Sequence, residues 1–490
     1  MPSTYDRVPY LGLPLPQTHP DRLGIIATLF GMSPAPAGSC RVLELGCGDG
    51  GNLIPMALTL PQSTFEGIDL AETAIEQGRE VVSALGLRNI TLRPLDVMQA
   101  SGLGEFDYIV AHGLYSWVPA DVRDRLFHVC RSNLAPQGIA YISYNTYPGF
   151  HRREMFREMM LYAVKDVEEP LDRVREAATF IQALASNAPR EGFTRVLFDD
   201  ELRHLAEGEP WYLFHDDLAA INYALYFYEF IAQAQRHRLQ YLGEADFNEM
   251  QDDIFPDSVI DGLQRFAGSN IVLKEQYLDF IKGRRFRQTL LCREEVALDR
   301  QIRPEQITRY YIASQARPVL AGDGTLEEFR GPYGASMKTD YAPARAALLR
   351  LGDLWPQTIQ FSELLAMAGG DAAPLAEILF HGYRIGLLEL HTAPAHFSVS
   401  PGDFPLASPL ARWQAQRGAL VANLRHNTVE LEDILDRYLL LALDGRHDRA
   451  ALMRGLREFL HSRGDLPDSL TPEGLDARLD RWARQALLLG

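Results

Sequence analysis

Between residues 41 and 144 the chain alternates short apolar runs with segments of helical periodicity. The runs Arg41–Leu45, Thr64–Asp69, Ile90–Leu95, Tyr108–Ala111 and Ile139–Tyr144 read as buried strands. The stretches Asn52–Leu60, Glu72–Leu85 and Ala120–Leu134 between them carry apolar residues at helical spacing. Strand and helix in regular alternation predict a parallel sheet with helices on both faces. Residues 1 to 20, rich in proline and aromatic residues, read as an extended arm, followed by a helix from about Asp21.

From about Phe150 the texture changes. Residues 151 to 280 show helical periodicity and few strand signals, so a helical middle region is predicted. Two later segments, Arg287–Cys292 and Arg309–Ser314, look extended and are expected to complete the N-terminal sheet. From about Tyr341 the order is helix (Phe361–Ala368), helix (Pro374–Leu387) and strand (Leu388–His391), as in a winged helix. The expected division is an α/β Rossmann-like domain at 1–150 completed by about 285–330, a helical domain at 151–284, and a winged-helix-like and helical domain at 335–490.

Length and charge narrow the classes. A chain of 490 residues exceeds a single core. Lys and Arg total 48 against 65 Asp and Glu, an acidic balance that argues against nucleic acid as the main partner. Cys40, Cys47, Cys130 and Cys292 are scattered without a C-x-x-C pair, so neither a zinc site nor a disulfide framework is expected. The N-terminus lacks the apolar region of a signal peptide, and no apolar run is long enough to span a bilayer. A cytoplasmic location without membrane insertion is expected.

The strongest chemical signal is Glu44-Leu-Gly-Cys-Gly-Asp-Gly-Gly51, between a predicted strand and a predicted helix. Glycines there allow a sharp turn and close approach to a cofactor. Alone the run is ambiguous, because Gly46, Gly48 and Gly51 also fit a dinucleotide fingerprint or a bare tight turn. Asp69 ends the second strand, where a carboxylate can accept from both ribose hydroxyls of either cofactor type. Asp96 ends the third, within reach of an adenine amino group, and Leu134–Gly138 forms a Pro/Gly turn before the fifth.

Taken together, Glu44, Gly46, Gly48, Gly50, Asp69, Asp96 and this turn resemble the motif set of class I methyltransferases. Further stretches narrow the likeness: Pro16–Arg22, His112–Val118, Tyr144–His151, Gln276–Phe280, Arg285–Thr289 and Asn423–Glu430. With them the chain resembles the methyltransferases that carry a methyltransferase regulatory domain, a group that includes rickettsial lysine methyltransferases acting on outer-membrane proteins. The resemblance implies S-adenosyl-L-methionine as cofactor and no metal. It implies a crevice lined by Glu44, Gly46, Gly48, Gly50, Asn52, Asp69, Leu70, Asp96, Val97 and His112. Tyr5 and Arg22 of the arm would cover its methionine end, together with Tyr10, Gln17 and His19. The opposing reading makes the arm a surface strap.

The acceptor side is read from placement. Tyr115 and Trp117 follow the fourth strand, as an aromatic wall for an amine or as packing at the sheet edge. Asn145, Tyr147 and His151 follow the fifth. Asn145 would accept from the amine and His151 would take its proton, or Asn145 would shape a turn and His151 would cap a helix. The basic run Lys282–Arg287 reads as a solvated face, as do the acidic clusters Asp199–Glu201, Asp216–Asp217 and Asp252–Asp253. Those acids would suit capture of a Lys-rich segment. Three functions follow: a methyltransferase acting on a protein lysine, one acting on a small molecule with the middle domain as a lid, or a cofactor-binding adaptor without catalysis. A homodimer is compatible with each.

Overall fold

The structure is a computed structural model, and it describes residue 8 and residues 10–189, 191–252, 254–320, 326–463 and 471–490. Its centre is an eight-stranded mixed sheet. The strands are β1 (Arg41–Leu45), β2 (Thr64–Asp69), β3 (Ile90–Pro94), β4 (Phe106–Ala111), β5 (Leu134–Thr146), β6 (Ala224–Leu225), β7 (Leu239–Glu244) and β8 (Phe286–Arg293). They run in the order β3-β2-β1-β4-β5-β8-β7, with β6 paired to β5. The first five pair in parallel with one another, whereas β8 lies antiparallel between β5 and β7. β1 is central, and its Val42, Leu43 and Leu45 are fully buried, as an apolar strand covered on both faces requires.

Helices close the layers where their apolar spacing predicts. Glu72–Leu85 buries Ile75, Gly78 and Val81 on one face and ends at Gly86 in the left-handed conformation. β5 begins earlier than its sequence suggests. Leu134 already pairs with Phe106, and a register shift absorbs the Pro/Gly stretch before Ile139.

The extended segment expected at 287–292 lies in this sheet as β8, but the one expected at 309–314 does not. Tyr311–Ala313 forms β9, which pairs with Ile359–Gln360 and Glu389–His391 in a separate three-stranded sheet. The sheet is completed beside β8 by β7 instead, which arises inside the region read as helical. That region does contain the helices Phe150–Ala163, Pro170–Asn187, Phe193–Glu207 and Pro210–Asp216. They share a core around Phe156, Met160 and Ile181. Farther on, Phe361–Ala368 and Ala372–Arg384 stand beside the β9 sheet, and a last group of helices packs around Trp482.

Two charge readings are corrected by burial. Arg284 and Arg287 of the supposed solvated face are 8% and 1% exposed. Arg287 bonds both oxygens of Asp279 at 2.8 and 2.9 Å, reaches Glu275 at 3.1 Å and Glu244 at 2.5 Å, and stacks on Phe227. Among the acids read as solvent-facing, Glu201 and Asp217 are buried and paired with Arg153, and Asp217 also meets His204. Those two carboxylates are neutralised internally and attract nothing from outside. Asp253 lies outside the described residues.

Candidate functional site

The loop after β1 turns on positive-φ glycines: Gly46, Gly48 and Gly50 have φ of 77°, 54° and 77°. Its start is pinned across the sheet, Gly46 N–H and Cys47 N–H both donating to the Ile68 carbonyl. Asp69 at the end of β2 completes the frame, its two oxygens accepting from Gly48 N–H and Ala71 N–H at 2.8 Å each. A carboxylate oxygen has lone pairs for more than one donor, so both oxygens keep capacity for a diol. Leu70, beside it, is 71% exposed. Asp96 lies two residues beyond β3 and caps the turn Val97–Gln99 through Met98 N–H, while Val97 is buried. These residues stand together beyond the carboxyl ends of β1, β2 and β3, where open α/β sheets hold their ligands.

On the other side of the glycine loop stands a buried carboxylate. Glu44 is 3% exposed, and its Oε1 accepts from Asn52 Nδ2 at 2.9 Å. Its Oε2 is buried without a partner. Burial, against the opposing Asn52 bond and reinforced by the charges of Asp69 and Asp49, raises its pKa to about 8. A buried carboxyl oxygen with no partner calls for one, and a ligand ammonium, by drawing the group to its ionised form, would supply it. The donor set therefore fits a cofactor carrying a ribose, an adenine and an amino acid.

The arm covers this loop. The chain passes so close at Gly12 that a Cβ there would sit 1.8 Å from Asp49 Oδ1, and one on Gly51 would sit 2.3 Å from the Gly12 carbonyl. Gln17 bonds the Tyr141 hydroxyl, which in turn meets His112 Nδ1 at 2.8 Å. Burial holds the His112 imidazole down at about 4, so it is neutral at physiological pH. Arg22 stands 3.9 Å from Glu389 of the C-terminal part, so its charge is already shared. Tyr5 lies outside the described residues.

The acceptor-side residues divide. Tyr115 is fully buried; its hydroxyl donates to Gln233 and its ring packs among Phe127, Tyr144 and Phe230. It is core, not a wall open to an amine, and the same holds for Tyr144. Trp117 is partly exposed, and its indole N–H is buried without an acceptor. Asn145 is buried; its side-chain amide donates to Asn222 Oδ1 at 2.7 Å and its backbone N–H donates to the Ser116 hydroxyl oxygen at 2.8 Å. Tyr147 donates to Glu154 at 3.0 and 3.2 Å and stacks on the exposed His151 at 3.9 Å. His151 caps no helix, since the helix Phe150–Ala163 begins at Gly149 without a side-chain cap.

Sequence reasoning missed what surrounds Tyr147. Tyr226 lies 5.4 Å away, and Tyr228 and Phe280, each about half exposed, lie 5.8 and 6.0 Å beyond it. Glu229 accepts from Tyr226 N–H at 2.9 Å. An open patch of rings with carboxylates between them thus continues from the ends of β4 and β5. The signal was present in Tyr223–Glu229 as three tyrosines within six residues, but only the tertiary fold brings them to β5. Among the described residues no cluster of His, Cys, Asp or Glu could hold a metal ion, and no helix is long and apolar enough to cross a membrane.

Comparison with known proteins agrees with this layout. Residues 42–138 match a methyltransferase domain, 209–293 a predicted methyltransferase regulatory domain, and 403–466 the PKMT C-terminal winged helix domain. The winged-helix match thus falls after the helix-helix-strand segment at 361–391 that suggested one. The uncharacterized protein RP789 of Rickettsia prowazekii is 32% identical over 477 residues, covering 93% of this chain and 85% of that protein. RP028 of the same organism is 35% identical over 239 residues, covering 48% of this chain and 94% of that protein. The solved structure of PKMT2 from Rickettsia typhi in complex with AdoHcy superimposes with a TM-score of 0.87 at 27% identity, over 98% of this chain and 100% of that one.

Proposed function

Because the chain belongs to the class I S-adenosylmethionine-dependent methyltransferases that carry a methyltransferase regulatory domain, we propose that it methylates the side-chain amine of a lysine in a protein. The observation that carries this reading is the open aromatic and acidic patch around Tyr147, Tyr226 and Glu154, at the same sheet edge as the cofactor crevice. The whole-chain likeness to a structure of PKMT2, C-terminal domain included, supports it.

The residues have separable tasks. Gly46, Gly48, Glu44, Asp69 and Asp96 hold the cofactor, with Asp69 on the ribose and Glu44 on the ammonium. When bound, S-adenosylmethionine supplies an electrophilic methyl group on a sulfonium. The protein then needs to place the amine in line with that carbon, which is mainly positioning. Tyr147, Tyr226 and Tyr228 draw a lysine ammonium over their ring faces, an attraction of about 0.5–2 kcal/mol per favourable contact. A free lysine has a pKa near about 10.4, so the ammonium has to lose a proton before it attacks. Withdrawal from water among the rings lowers that value, and Glu154 receives the proton. Tyr147 remains protonated, its pKa raised by burial and by the adjacent Glu154. It holds Glu154 in place.

The test is incubation of cell lysate with the enzyme and methyl-labelled S-adenosylmethionine, then sorting the label into protein and small-molecule fractions. Label on protein lysines, with Tyr226→Ala losing transfer while keeping cofactor affinity, is the expected result. Label confined to small metabolites overturns the lysine reading, and no label in any fraction turns it toward a cofactor-binding adaptor.

A further inference from the structure

A loop of the C-terminal domain enters the cofactor site. His426, within the residues matched to the winged helix domain, is 5% exposed and places Nε2 2.8 Å from Asn52 Oδ1. Asn52 also donates to Glu44 and to the Thr18 hydroxyl, and its Oδ1 accepts from Leu15 N–H at 2.9 Å. One amide therefore joins the glycine-loop carboxylate, the N-terminal arm and a side chain 374 residues away.

The hydrogen-bond pattern fixes every donor. Leu15 N–H has only a proton to offer, so the Asn52 atom facing it is the carbonyl oxygen, and its amino group faces Glu44. His426 Nε2 then carries the proton, and Nδ1 is left as a bare acceptor. That atom is buried and has no partner, like Oε2 of Glu44. Burial, with the neighbouring His19 and Arg22 charges, depresses the His426 pKa, so the ring stays neutral. Two buried polar atoms that lack partners thus lie on either side of one amide.

The loop itself is built to hold this pose. His426 has φ of 60°, a left-handed conformation uncommon outside glycine and associated with functional sites. Asn423 Oδ1 accepts from Arg425 N–H and Asn427 N–H at 3.0 and 2.8 Å, and its amide donates to the Gln485 carbonyl at 2.8 Å. Arg425 pairs with Glu389 and lies 4.2 Å over the Trp355 ring. On the arm side, His391 bonds Asp21 at 2.9 Å. The C-terminal domain is thereby tied to the helix that follows the arm, and through Asn52 to the arm itself, beside the glycine loop.

We propose that the C-terminal domain is an integral wall of the cofactor pocket, His426 acting through Asn52 as the positioning residue that orients Glu44 toward the amino-acid end of the cofactor. Cofactor binding and docking of the C-terminal domain then stabilise each other, because linkage is reciprocal. This rests on the cofactor reading above. It gives the C-terminal domain a role in cofactor retention, separate from any contact with an acceptor.

The experiment is calorimetric titration of the full chain with S-adenosylhomocysteine, using wild type, His426→Ala and His426→Gln. Loss of the oriented bond weakens binding in His426→Ala by about tenfold or more, while His426→Gln, which retains a donor, recovers most of it. Hydrogen exchange of the wild type, with and without S-adenosylhomocysteine, supplies a readout independent of the variants' folding. Ligand is expected to protect residues 423–427 as well as residues 44–52. Unchanged affinity in His426→Ala, or protection confined to residues 44–52, overturns the proposal. Equal losses in the Ala and Gln variants overturn the donor role of His426. Failure of the wild type to bind S-adenosylhomocysteine overturns the cofactor reading and this proposal with it.

Discussion

Replacing Asp69 with alanine probes the cofactor side most directly. Its carboxylate does two things at once. It accepts from Gly48 N–H and Ala71 N–H, holding the loop and the start of the next helix, and it keeps lone pairs for a ribose diol. Hydrogen bonds to a charged group contribute about 1.5–3 kcal/mol each, whereas neutral ones contribute about 0.5–1.5 kcal/mol. Removing the side chain forfeits the diol contacts and frees Gly48, so affinity for S-adenosylhomocysteine is expected to fall by about 2–4 kcal/mol, roughly 30- to 1000-fold. Asp69→Asn keeps one oxygen and loses the charge, and its loss is expected to be about 1–2 kcal/mol. Asp69 is only partly buried, so the fold survives both changes and the loss belongs to the ligand. Isothermal titration of the three proteins reads these numbers. Unchanged affinity in Asp69→Ala, or tight binding of NAD by the wild type, would refute the reasoning.

Three further outcomes are expected. Trp117→Ala lowers kcat with cofactor affinity nearly unchanged, since the residue follows β4 on the acceptor side; steady-state kinetics beside titration checks this, and parallel loss of both removes the assigned role. Arg287→Ala strands Glu244, Glu275 and Asp279 in the interior and destabilises the catalytic domain by about 3–5 kcal/mol, read as a lower urea midpoint. Glu44 gives a pH signature: its native carboxyl holds its proton to about 8, against 4.5 for an ordinary glutamate, so the native state binds more protons than the unfolded one across that window. Stability contributed at this site declines as pH rises between those values and is level above them. An ammonium ligand draws Glu44 to its ionised form, so S-adenosylhomocysteine binding near pH about 7 releases a proton, measurable by calorimetry in buffers of differing ionisation enthalpy and absent in Glu44→Gln.

The parts of this molecule legible from sequence are those set by local rules. β1, β2, β4 and the helix Glu72–Leu85 follow from periodicity, and the Gly46–Gly51 loop from the need for positive φ between strand and helix. β7 was missed because Leu239–Glu244 is six residues long and sits in helical surroundings. Its identity as a strand comes from pairing with β8, not from its own pattern. Tyr311–Ala313 was misplaced for the converse reason. A short extended run states that it will pair, but not with which sheet.

Charge was the least legible property, and Arg287 shows why. In the sequence it closes a basic run beside a glycine, and exposed basic runs are far commoner than buried ones. Its burial is decided by Glu244 on β7 and by Glu275 and Asp279 one helical turn apart. Each of those acids alone looks equally solvated, and only the fold brings them to one guanidinium. The same logic hides His426 from the cofactor site. Its neighbours in sequence are arranged to hold a loop, and its partner Asn52 lies in another domain, just before the helix Leu53–Thr59. Candidate sites drawn from one segment at a time therefore reach the loops beyond β1, β2 and β3, which lie within about one Rossmann half. They miss the side chains that reach those loops from the chain's far end. The role proposed for His426 would give the C-terminal domain a stake in the cofactor pocket that a docking module for substrate would not need.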